Sequence, residues 1–152
     1  MYPMRLKNFV PACLLVLLLA GPLASVAAAG PALTSVNEYG RLQKQDSSGA
    51  NIDEKGVGWG SFNCSVVMEL TLSGTLVTAK YTAYLQGGSI SGTATAHIHS
   101  ATKTTGYFSG TITLRGGTRG RTHASGTADF SGEINRTYFN MNTHITGKLR
   151  LK

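Results

Sequence analysis

From Cys64 to the C-terminus, hydrophobic and polar residues alternate with a period of two. Six segments carry the pattern: 64–72, 77–85, 90–98, 108–114, 124–130 and 139–151. In the first, Cys64, Val66, Met68, Leu70 and Leu72 share one face, and Ser65, Val67, Glu69 and Thr71 the other. Side chains of a strand point alternately to its two faces, so each segment is predicted to be a half-buried strand. The connections are short and contain glycine, which suits antiparallel neighbours; a parallel pair needs a crossover of about a dozen residues or more. Gly87-Gly88 and Gly116-Gly117 read as hairpin turns.

Gly92, Gly110, Gly126 and Gly147 all fall on the apolar face. Glycine weakens a strand unless the backbone bends or approaches something closely. Glycines on one face of several strands therefore predict a strongly curved sheet. Ser-Gly-Thr recurs at 73, 91, 109 and 125, at spacings that would also suit a solenoid. The repeat slides relative to the strands, which favours a meander. The fold expected is all-β: an antiparallel meander closing into a barrel of about eight strands. Residues 63–152 supply the core, and residues 30–62 form a weakly patterned N-terminal arm with two possible edge strands. Within that arm, 43–55 reads as a loop or a partly ordered arm.

Residues 1–29 have the layout of a secretory signal peptide. Arg5 and Lys7 precede the apolar stretch 12–20, Gly21-Pro22 breaks it, and a small-residue run ends at Ala29. The expected localisation is secreted or periplasmic. Removing this segment leaves 12 Lys+Arg against 7 Asp+Glu and a single cysteine, Cys64, so no internal disulfide is expected. No apolar run beyond it is long enough for a spanning helix. A membrane β-barrel would need aromatic girdles, whereas the aromatics here are scattered, and an integral membrane protein is not expected.

The segment Gly116-Gly117-Thr118-Arg119-Gly120-Arg121-Thr122-His123-Ala124-Ser125-Gly126 resembles one common in small secreted bacterial β-proteins, where it runs GGTG, an aromatic, then A-x-G. A similar segment occurs in the allene oxide cyclase and dirigent-like barrels, and the likeness covers about residues 90–150. Arg119 stands where glycine is expected and Arg121 where an aromatic is expected. The resemblance implies an eight-stranded antiparallel barrel. Those enzymes work in the barrel interior with polar and acidic residues. The inward face expected here offers Cys64, Tyr81 and Thr143 and no carboxylate, so no catalytic residue is carried over.

Candidate chemistry is sparse. His97 and His99 share a strand face, as in several metal sites. Loop lengths set an approximate register: Arg115 against His123, and Asp129 against Asn140. That register puts His97 and His99 roughly 20 Å from His123 and His144 at about 3.3 Å per residue. A four-histidine metal site is not expected, and no cofactor is indicated. Residues 100–152 hold 8 basic and 2 acidic groups, against 4 and 5 in residues 30–99. Arg115, Arg119 and Arg121 flank one hairpin, and Lys148, Arg150 and Lys152 run back to the same end. These six form a candidate anion-binding surface, since clustered charge of one sign attracts polyanions. Acidic glycans or anionic envelope lipids fit this compartment. Specific nucleic-acid binding is not expected, because few aromatics interleave the charges. Asn63-Cys64-Ser65 and Asn135-Arg136-Thr137 match the glycosylation pattern. The expected function is a non-catalytic binding or structural barrel. The alternative is an isomerase- or cyclase-type enzyme with a lumen site around Tyr81.

Overall fold

A computed structural model describes residue 30 and residues 32–152; residues 1–29, read from the sequence as a signal peptide, lie outside the described residues. Eight strands follow one another: β1 (Thr34–Ser48), β2 (Asn51–Gly60), β3 (Cys64–Ser73), β4 (Leu76–Leu85), β5 (Gly88–Ala101), β6 (Thr105–Gly117), β7 (Gly126–Asn135) and β8 (Met141–Leu149). Each pairs antiparallel with the next, and β8 pairs with β1, so the meander closes into a barrel. Closure leaves no open sheet edge.

The alternation places its apolar face inward. Leu70, Ala96, Phe108, Ile112, Phe130 and Leu149 belong to one buried cluster, while outward positions such as Thr78, Lys80, Thr95, Thr111 and Asp129 are exposed. That polarity is the reverse of a lipid-facing barrel. The inward glycines permit the curvature. A Cβ at Gly92 would fall on the Thr113 carbonyl, and one at Gly110 on the Thr95 carbonyl.

The N-terminal arm supplies the two further strands expected of it, and only the loop read at 43–55 differs. The arm forms two full strands, and the 43–55 loop is a hairpin turning at Gly49-Ala50. Inward positions there are Val36, Glu38, Gly40 and Leu42 on β1, and Ile52, Glu54, Gly56 and Gly58 on β2. Glycine and glutamate at five of these eight places hide the alternation.

Two connections also differ. Gly116-Gly117 ends β6 instead of turning the hairpin; a longer loop follows, with a single 3-10 turn at Arg119–Arg121. The turn between β7 and β8 spans residues 136–140 and includes Phe139 with φ 55. β8 therefore starts only at Met141, and Asp129 faces Thr146 rather than Asn140.

The barrel has two unlike ends. The terminal end holds the start of β1, residues 150–152 and the β2–β3, β4–β5 and β6–β7 connections. The hairpin end holds the other four turns.

Candidate functional site

Glu38 and Glu54 point into the barrel, with 4% and 0% of their surface exposed. This corrects the expectation of an interior without carboxylates. Glu38 lies in the terminal half. Its Oε2 accepts a hydrogen bond from the Phe62 N–H at 3.2 Å, and Cys64 Sγ lies 4.0 Å from Oε1. Burial raises the Glu38 pKa above its ordinary value, against the lowering effect of the Phe62 and Ser61 N–H groups. Burial, with the nearby Glu38 charge, pushes the Cys64 thiol up to about 11. Tyr81 is buried across the lumen, its hydroxyl has no partner, and its pKa is raised by desolvation.

Glycines make room for these groups. A Cβ at Gly58 would lie 2.7 Å from Cys64 Sγ and 2.9 Å from Glu38 Oε1. One at Gly92 would lie 2.8 Å from the Tyr81 hydroxyl, and one at Gly40 2.5 Å from Thr143 Oγ1. Glu38, Cys64, Tyr81 and Thr143 line one cavity of about 60 Å³, whose other walls are apolar, among them Val36, Met68, Ile112 and Phe130. That is room for a few waters or a small organic group, below the roughly 300 Å³ of an ordinary small-molecule pocket. Glu54 does not line this cavity. Neither of its oxygens has a partner, and burial raises its pKa to about 7.

The predicted cations gather at the terminal end, though not in one way. Arg119, Lys148 and Lys152 are exposed. Arg121 is half-buried and ties three segments together, donating to the Leu151 carbonyl and to the Gln86 carbonyl, each at 3.4 Å. Arg150 is half-buried, bridges to Ser125, and keeps a buried Nε without a partner. Arg115 lies on the outer wall two residues inside the end of β6, its Nε 3.5 Å from Thr93 Oγ1. No Asp or Glu side chain lies in this end's described connections or in the last two residues of any strand that finishes there. Asp46, Asp53 and Glu133 lie in the opposite half, while Asp129 is exposed on the outer wall of the terminal half, facing Thr146.

The histidines are placed differently from expectation. His97 faces Ser109 as expected, but a bulge between Ile98 and Ser100 makes His99 the extra residue. His123 sits in the β6–β7 loop rather than on a strand. His144 pairs with Ser131, Ser131 with Ser109, and Ser109 with His97, so these four share one row. Among the described residues, no three His, Cys, Asp or Glu side chains gather closely enough to hold a metal. In the second sequon, Asn135 Oδ1 accepts from the Thr137 and Tyr138 N–H groups, each at 2.9 Å. Compared with known protein families, with curated proteins and with solved structures, the chain matches none.

Proposed function

We propose that this chain is a secreted or periplasmic binding barrel, non-catalytic, which engages acidic glycans or anionic envelope lipids through its terminal end. The supporting observation is charge segregation. Arg119, Arg121, Lys148, Arg150 and Lys152 gather at an end whose connections hold no Asp or Glu side chain, with Asp129, facing Thr146 on the outer wall, as the nearest exposed acid; Lys55, midway along β2, has Asp53 two residues away on the same face, and Lys103 lies in the β5–β6 turn. One-sign fields steer and hold polyanions.

The test is retention on heparin and on vesicles containing phosphatidylglycerol. Binding should fall steeply with salt, because the Debye length shrinks from about 10 Å at 0.1 M to about 3 Å at 1 M. Arg119→Gly with Lys152→Ser should elute earlier. The glycine suits the left-handed backbone at Arg119, φ 55. Lys55→Ser with Lys103→Ser is the control of equal charge. Equal losses from both pairs would leave only net charge and would sink the reading.

A second reading is an isomerase- or cyclase-type enzyme. The observation favouring it is a carboxyl, Glu38, on the same cavity as Tyr81. Under that reading Glu38→Gln and Tyr81→Phe should each abolish turnover and leave heparin retention untouched.

A further inference from the structure

The outer wall carries a trough that neither the lumen nor the cation-rich end explains. Its floor is small: Ser109 and Ser131 are cross-strand partners, with Gly132 beside them. One wall is Tyr39 and His144, stacked at 4.4 Å with 11° between their planes. The other is Tyr107 and His99, and Glu133 with Asn142 closes the hairpin side. The trough is shallow and wide open to solvent, about 470 Å³. Tyr107 on β6, cross-strand partner of Glu133 on β7, stands two strand spacings from His144 on β8, roughly 10 Å at about 4.8 Å each. A pyranose ring can lie on the serines between the two walls.

The stacked wall is held in place although it is exposed. Trp59 stacks behind Tyr39 at 6.4 Å, and His144 Nε2 is 2.8 Å from Asn37 Oδ1. Tyr39, Trp59 and Tyr107 are 43%, 45% and 42% exposed. Rings fixed before binding lose little entropy when a ligand arrives. The lining also fits one kind of ligand. The Asn142 amide donates to Glu133 Oε1 at 2.9 Å, which leaves the other carboxylate oxygen and the amide oxygen as neighbouring acceptors for adjacent hydroxyls. Aromatic faces complement the C–H face of a sugar. Charge is balanced, since Arg41 lies next to Asn142 across the β1–β8 pair and offsets Glu133. A polyanion would need excess cations, and an added peptide strand would need a free edge, which the closed barrel lacks.

We infer that this trough, bounded by Tyr39, His144, Tyr107 and Glu133 over Ser109 and Ser131, is a binding site for a neutral saccharide unit. The site is independent of the cation-rich end. Calorimetric titration of the secreted protein with cellohexaose, maltohexaose and the hexamer of N-acetylglucosamine tests it, with Trp59, the chain's single tryptophan, as a fluorescence reporter. At least one should bind with micromolar to millimolar affinity, unchanged between about 0.1 and 0.5 M salt, because no ion pair is involved. Tyr107→Ala and Ser131→Phe should each weaken binding at least tenfold while circular dichroism and thermal midpoint stay put. Arg119→Gly with Lys152→Ser should leave it unchanged. Absence of binding to all three sugars at millimolar concentration would overturn the inference, as would full binding by both trough variants. Loss of heparin retention alone would bear only on the terminal end.

Discussion

Replacing Glu54 by methionine should stabilise the barrel, by an amount that depends on pH. Glu54 is fully buried on β2, facing Lys44 on β1 and Met68 on β3, and neither carboxyl oxygen has a partner. Lys44 turns its ammonium to the Phe139 ring, 5.2 Å from the centroid, rather than to the acid. In the folded chain the pKa rises from 4.5 to about 7; unfolded, it returns to 4.5. Below pH 4.5 both states hold the proton, and the group has no pH-dependent effect. Between pH 4.5 and 7 the unfolded chain releases its proton while the folded one retains it, so stability falls with rising pH. Above 7 both are ionised and the loss levels off. At about 1.4 kcal/mol per pH unit, the loss reaches about 3 kcal/mol near pH 7. Methionine has similar length and no charge to desolvate. The stability advantage of Glu54→Met should therefore grow by about 3 kcal/mol from pH 4 to pH 7 and then stay flat. In a domain of this size that is on the order of 10 °C in midpoint at neutral pH. Urea unfolding of both proteins at pH 4, 5, 6, 7 and 8 measures it. Subtracting the two profiles cancels the other titrating groups. Parallel profiles would refute the argument and would mean that Lys44 swings onto the carboxylate in solution.

Three other outcomes follow from the interior. Gly110→Ala should cost about 1–3 kcal/mol in urea unfolding, since the methyl meets the Thr95 carbonyl and lies 2.5 Å from Ala96 Cα; an unchanged midpoint would show that the wall yields. Cys64, with its thiol raised from 9.0 to about 11, should react with iodoacetamide at pH 8 about a hundredfold more slowly than an unperturbed thiol, because only the thiolate attacks; a rate matching that of the urea-unfolded chain would contradict the burial. Tyr81→Phe removes a buried hydroxyl that has no partner, so the thermal midpoint should hold or rise; a loss above about 1 kcal/mol would reveal a partner for that hydroxyl.

The residue pattern by itself determined the class of fold and the two faces of most strands. Val66, Tyr81, Ala94, Ile112 and Phe130 point inward as the alternation requires, and glycines on that face mark where the wall bends. Arg119 adopts a left-handed, glycine-like backbone, φ 55. Two things were decided only by closure. In β1 and β2 the inward places are shared by Glu38, Glu54 and glycines, so no apolar period shows there and the two interior carboxylates escape notice. The sheet needed eight strands to close, and that demand pulled them in. Register was the other. The β6–β7 and β7–β8 pairings lie two and six residues from those that loop length suggests. Both shifts are even. An even slip keeps every side chain on its own face, so the alternating pattern is blind to it. Backbone pairing around the closed ring sets the register, and the register puts His144 beside Ser131 and builds the aromatic trough.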